Sequence, residues 1–461
     1  MAGIGFRLKR LLAEESYSGW IRAHVYGAVV SSGPWLLSIC ALATLAILSK
    51  GTTAEMGHPL FQAIVVYTYT FSLLTTGAYQ MVITRYLADC LYVGAAGAFM
   101  GGYRWAVGAT ALLHLVLGIV FYGLVPDLPL LVRVVAVAFL VVVASTWVAM
   151  LFVGAAQNYM SVVLAFLVGN VGGVVAALVL GGRLGVVGYL GGFALGQGLI
   201  FFALHTRVER EFAGPLESTP SELWRAALDY WPLAVAGLLY YAAISVDRVM
   251  FWLSPVGFRV QGWFFGSLYD TPLYLAYLSV VPAYATFLVR VETEFYDHYR
   301  RYYGAVIKHG TLTQVLDAKA DMARALRESL GRLLAVQAPI TLLLMILAPT
   351  IAHALAMAPT QVSILRAALV GAVLHALALF QMIILFYFDR RRAAVEVSAV
   401  FFLANAGLTL LTIAIGDVAY GQGYALAALL AAGWAYYRLE GTLDDLEYLT
   451  FASQPMISDA A

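Results

Sequence analysis

The feature that most constrains this chain is a recurrence of apolar runs about twenty residues long, the length a helix needs to cross roughly 30 Å of hydrocarbon. At that length the sequence predicts spans over 21–48, 60–84, 104–125, 130–153, 160–181, 185–205, 228–253, 265–289, 332–353, 362–388, 394–416 and 418–437. The last two have a re-entrant pair as their alternative, because Gly416, Gly421 and Gly423 leave little room for a loop. Composition agrees: 62% of the 461 residues are hydrophobic and 11% are charged, whereas a soluble domain uses about 25% charged residues to solvate its outside. The expected fold is therefore an all-α integral membrane protein of about twelve transmembrane helices.

Charge gives the expected orientation. With the N-terminus in the cytoplasm, only Lys50, Arg133, Arg183, Arg248, Arg259 and Arg366 fall outside, leaving 21 of the 27 Lys and Arg inside. That bias follows the positive-inside rule and puts both termini in the cytoplasm. The opening MAGIGFRLKRLL is basic, but AEESYSGWIR and a long span follow, so no cleaved signal peptide is expected. A polar segment, 206–227, separates an N-terminal six-helix lobe (1–205) from a C-terminal one (228–461), which carries a long cytoplasmic loop at 290–331. A shift of 205 residues lays Tyr79 on Tyr284 and Arg85 on Arg290, each arginine closing a span. Parallel repeats of this kind place a substrate path in a central cavity between the lobes.

Other patterns concern packing. Gly169 and Gly173, then Gly188, Gly192 and Gly196, recur at four-residue spacing and let helix backbones approach closely. In the long loop, Ala320, Ala323, Leu326, Leu330 and Leu333 fall at helical spacing, an amphipathic face for the membrane surface, a partner or plain solvent. The tail EGTLDDLEYLTFASQP is acidic where neighbouring loops are basic, which suits docking on those loops or on another subunit. In the first span, Gly33 and Pro34 predict a bend, since Pro34 lacks the N–H that would bond Val30, and make a candidate gating element.

Ionisable groups at membrane depth are costly and mark candidate function. Spans one to six hold no such carboxylate; span seven holds Asp247 beside Arg248, and span eight holds Asp270. The first two have an external ion pair as their plain alternative. Asp270, Tyr274, Tyr277 and Tyr284 share one face of a continuous helix, and Tyr67 and Thr70 belong to a polar strip on span two. Hydroxyl-bearing aromatic faces suit carbohydrate, so these eight residues are the candidate substrate path. Asp270 precedes Thr271 and Pro272, so a helix cap is the competing reading.

No nucleotide-phosphate loop, zinc-binding H-E-x-x-H or nucleophile elbow occurs, so neither an enzyme, a metal site nor a cofactor is expected. Two cysteines, Cys40 and Cys90, make no disulfide framework, and a net charge of +1 gives no footprint for nucleic acid.

The opening MAGIGFRLKRLL, SSGPW at 31–35, SVDRVMFWL at 245–253, GSLYDTPLYLAYLSVVPAY at 266–284 and FYDHYRRYYGAV at 295–306 resemble the Pel exopolysaccharide transporter family, PelG. That family belongs to the multidrug/oligosaccharidyl-lipid/polysaccharide superfamily of two-lobed, twelve-helix transporters. The resemblance implies a bacterial inner-membrane protein exporting a galactosamine-rich polysaccharide. It also implies work alongside a cytoplasmic glycosyltransferase and a membrane scaffold subunit. An ion-coupled small-molecule antiporter of the same superfamily and a non-transporting synthase scaffold are the alternatives.

Overall fold

In a computed structural model, the residues described are 17–49, 58–94, 96–125, 128–156, 158–212, 220–260 and 263–452. Helices α1 (Tyr17–Leu48), α2 (His58–Val93), α3 (Ala96–Gly123), α4 (Leu130–Ala155), α5 (Tyr159–Leu184) and α6 (Val186–Glu211) occupy the first six expected spans. A short α7 (Pro220–Asp229) precedes α8 (Trp231–Leu253), and a hairpin pairs β1 (Phe258–Val260) antiparallel with β2 (Trp263–Phe265). Next come α9 (Ser267–Ser279), α10 (Val281–Arg290), a π-helical turn (Val291–Phe295) and α11 (Tyr296–Ile307). The chain continues with α12 (Leu312–Ala354), α13 (Pro359–Tyr387), α14 (Arg391–Ile415), α15 (Gln422–Asp444) and α16 (Leu446–Phe451). Among the described residues, eleven helical stretches are long and apolar enough to cross a membrane. The twelfth expected span, α15, falls outside that set.

By contacts the chain divides mainly into His24–Tyr274 and Leu275–Ala461. This division falls later than the boundaries at 205 and 227, because α8 packs on α2. A Cβ at Gly237 would stand 2.1 Å from the Gly77 carbonyl oxygen, so two glycines set that approach. Of the expected linker, 213–219 lies outside the described residues, 206–211 continue α6 and 220–227 belong to α7, with Ala226 buried and Trp224 exposed.

Within the first unit, α5 and α6 pack backbone to backbone. A Cβ on Gly192 would meet the Ala177 nitrogen at 2.3 Å, and one on Gly196 the Gly173 Cα at 2.4 Å. The glycine spacing thus reports helix packing, as the sequence reading held. Helix α1 continues through Ser31–Trp35, so Pro34 lies inside it, and Gly33 sits where a Cβ would be 3.3 Å from Val163.

In the second unit the long loop is ordered. Helix α12 has 43 residues, about 65 Å at 1.5 Å per residue, twice what the hydrocarbon needs. The amphipathic stretch is therefore the first half of a membrane-crossing helix rather than a separate one. Ala323, Leu326, Leu330 and Leu333 are buried as expected, whereas Ala320 is exposed and the apolar face continues through Met322, Ala318 and Val315. The C-terminal segment docks there. Lys319 donates to Glu447 (2.5 Å), Arg327 to Glu440 (2.5 Å), and the Tyr302 and Thr450 hydroxyls bond at 3.1 Å. Burial pushes the Glu447 carboxyl up, but Lys319 and a backbone N–H together offset this and leave it below its ordinary value.

The glycine contacts give a test. In Gly192→Leu the new side chain has backbone, not movable side chain, in its way. The expected cost is about 1–3 kcal/mol or more, read as lower thermal stability in detergent, while Gly191→Leu, whose Cβ meets nothing within 4 Å, stays near wild type.

Candidate functional site

Among the described residues the buried acids, Asp247 and Asp270, lie on α8 and α9, and the sequence between the two helices explains how they meet. Trp252 and Asp270 pair next to the hairpin, and four residues further from it along each helix Arg248 pairs with Tyr274, so the two helices run antiparallel. The connection folds back tightly onto Trp252. A Cβ on Gly257 would lie 2.1 Å from the Trp252 carbonyl oxygen, and one on Gly266 would lie 2.9 Å from the indole ring. Glycine is required at both positions by close approach.

Asp247 is fully buried, and one of its carboxylate oxygens accepts the Tyr269 hydroxyl at 2.7 Å. Asp270 is 3% exposed and accepts the Trp252 indole N–H at 2.8 Å. Such charge-assisted bonds contribute about 1.5–3 kcal/mol each. The second oxygen of each carboxylate is buried without a hydrogen-bond partner among the described residues. Arg248 donates to the Tyr274 hydroxyl (3.2 Å) and to the Ile244 carbonyl (3.2 Å), and its charge acts on both acids. One cation therefore faces two carboxylates in a site from which water is largely removed.

Aromatic rings fix this geometry. Phe251 stacks on Tyr269 with centroids 4.0 Å apart and planes 10° apart, and Tyr67 of α2 stacks on Trp252 at 4.8 Å and 23°. Thr70, one turn from Tyr67, is buried. Five of the eight candidate path residues, Asp247, Arg248, Asp270, Tyr274 and Tyr67, are thus tied into one constellation.

Three expectations change. Asp247 and Arg248 are not an interface pair, since Asp247 is enclosed and bonded to Tyr269. Asp270 is not a cap, because it lies in the first turn of α9 and its carboxylate takes the indole of Trp252 on another helix. The common face from Asp270 to Tyr284 is broken, because α9 ends at Ser279 and α10 starts again at Val281 with Pro282 in its first turn. Tyr277 packs instead against His375 and Tyr424, and Tyr284 against Phe380. Sequence reasoning missed Trp252 and Tyr269. The signal was available: an acid at membrane depth requires a donor, and both residues sit five or fewer positions from a carboxylate or a proven partner of one.

Trp252→Phe should leave Asp270 with no donor and cost about 1–3 kcal/mol, measured as a lower melting temperature in detergent. Combining it with Asp270→Leu should recover most of that loss, because the stranded charge is gone.

The family model described as "PelG: Putative exopolysaccharide Exporter (EPS-E)" matches residues 1–451. No curated protein matches the chain. Among solved structures, a mutant of the Vibrio cholerae MATE transporter VcmN is similar with a TM-score of 0.60 at 14% identity, over 97% of this chain and 99% of that one. The bent form of VcmN gives 0.60 at 13% over the same shares. A MOP superfamily transporter from Pyrococcus furiosus gives 0.56 at 14%, over 92% and 96%. At such identities these likenesses show the fold alone: a transporter fold of the MATE type. With its family model covering nearly the entire sequence, this chain belongs to the PelG family of membrane exopolysaccharide exporters.

Proposed function

We propose that this protein exports an amine-bearing, galactosamine-rich exopolysaccharide of the Pel type across the bacterial inner membrane, with both termini in the cytoplasm. In this reading, lobes 1–205 and 228–461 flank the path, and a cytoplasmic glycosyltransferase with a membrane scaffold subunit supplies the chain. The observation that carries the reading, beyond family membership, is the pair of buried carboxylates, each with one oxygen unbonded among the described residues. An ammonium group on a passing sugar supplies the cation such a site lacks and finds an unused carboxylate oxygen to bond. Tyr274 then offers its hydroxyl to the sugar, and Tyr67, whose face lies on Trp252, its hydroxyl and ring edge. Tyr277, Tyr284 and Thr70 extend the proposed path, and the Gly33–Pro34 stretch is its proposed bending point.

Cation-coupled antiport is the second reading, favoured by the same excess of carboxylate over arginine. The two separate by substrate. Proteoliposomes should pass oligosaccharide bearing free amines faster than the fully N-acetylated form, without any need for a sodium or proton gradient. Gradient-dependent efflux of small cations with no sugar movement would select antiport instead.

Asp270→Asn keeps an acceptor for Trp252 but removes the charge. At normal expression it should lower polymer secretion about tenfold, the scale of one lost charge-assisted bond; secretion at the wild-type rate would remove Asp270 from the path. For orientation, a cysteine placed at the exposed Leu316 should react with a membrane-impermeant maleimide only after the cells are opened.

A further inference from the structure

Arg366 is the only Lys or Arg in the 29-residue span α13. It lies seven residues from the start of that helix, about 10 Å along its axis, and its side chain is exposed. Its Nε donates to the Met345 carbonyl at 3.1 Å, which fixes the plane of the guanidinium. Among the described residues this is its one hydrogen bond. Guanidinium carries five N–H donors, so most of its capacity is unused. Asp417, which opens a 3₁₀ turn (Asp417–Ala419) after α14, is exposed and forms no ion pair with it.

This cation borders a groove of about 480 Å³ walled by Met345, Ala367 and Val370, and lined also by Ser363 and Gln422. All of these residues belong to the second unit. The face onto which the groove opens is apolar, since Leu342, Leu343 and Ile346 of α12 are 56–73% exposed beside it. In a membrane protein such a face meets lipid, not water. An arginine there is costly unless it reaches the interface or finds an anion.

We propose that the groove around Arg366 binds one anionic phospholipid, whose phosphate takes the free guanidinium edge while an acyl chain fills the apolar trough. Charge complementarity selects this occupant: a lone cation without a carboxylate, oriented by a backbone carbonyl, matches the bidentate geometry of a phosphate diester. The apolar walls select a lipid over free phosphate, which has nothing to place against Met345 and Val370. A second protein copy would need its own acid against Arg366.

The test uses the full-length protein in neutral detergent with phosphatidylglycerol as the probe. Native mass spectrometry should show one phosphatidylglycerol retained per chain, and titration should raise the melting temperature. Arg366→Gln should weaken retention about tenfold, the scale of a lost charge-assisted contact, whereas Arg366→Lys, which keeps the charge and loses the bidentate fork, should fall between that variant and wild type. Ala367→Phe, which fills the trough and leaves the charge, should weaken retention comparably and serves if Arg366→Gln fails to fold. Equal retention by Arg366→Gln, or by Ala367→Phe, overturns the proposal. Stabilisation by inorganic phosphate equal to that by the lipid overturns it in favour of a free-anion site, and a dimer in lipid-free detergent that Arg366→Gln dissociates overturns it in favour of a second copy. Failure here leaves the exporter reading untouched, because Arg366 lies outside the proposed path.

Discussion

Everything in this protein follows from folding where water is scarce, so that each polar group at membrane depth must find a partner inside the chain. Several groups of the first unit show how this is done. Asn170 donates to the Phe166 carbonyl and to Ser38, Gln197 donates to Asn170, and Trp147 donates to Ser72. Thr75 meets His114 at 2.7 Å, and the other ring nitrogen of that histidine meets the Thr110 carbonyl. Against this background the incomplete groups carry information. The unused oxygens of Asp247 and Asp270 belong to groups that can bear charge, where incomplete bonding costs most. Two acids that stand beside one arginine, each bonded through a single oxygen, give the proposed path room for something positive.

That capacity is held in place by a short-range device. The glycines at 257 and 266 let the hairpin connection close on Trp252, whose indole then reaches Asp270. Stacking of Tyr67 on the same indole ties α8 to α2, and Gly77 against Gly237 brings those helices to backbone contact. Glycine packing therefore positions the carboxylates as much as their hydrogen bonds do.

Much of this was legible in the sequence, and the rest was hidden for physical reasons. Span positions were readable because hydrocarbon thickness sets a length that composition reveals directly. The glycine seam between α5 and α6 was readable because four-residue spacing is itself the packing geometry. The continuity of α12 was not, since its first half carries Lys319, Arg324 and Arg327 and reads as a loop helix, although nothing in it breaks a helix before Pro339. The face joining Asp270 to Tyr284 failed at Pro282, which has no N–H to offer the Leu278 carbonyl and so restarts the helix. Trp252 and Tyr269 escaped because periodicity shows which face a residue occupies, not which side chain on the next helix it meets.

The proposed polymer path also explains why the site combines strong and weak elements. A carboxylate fully free in hydrocarbon would hold an ammonium too tightly for a chain that must keep moving, whereas one bonded to Trp252 and influenced by Arg248 is partly neutralised before the sugar arrives. Arg248 sits at the balance point. Its bonds to Tyr274 and to the Ile244 carbonyl keep its charge from being wholly absorbed by either acid. If Arg248 were replaced by a neutral residue, the Tyr274 hydroxyl would lose its donor and the two half-bonded acids would stand with no fixed cation beside them. A passing ammonium would then be held more tightly and released more slowly, so loss of this arginine, although it removes a positive charge from the path of a cationic polymer, should slow transport and not speed it.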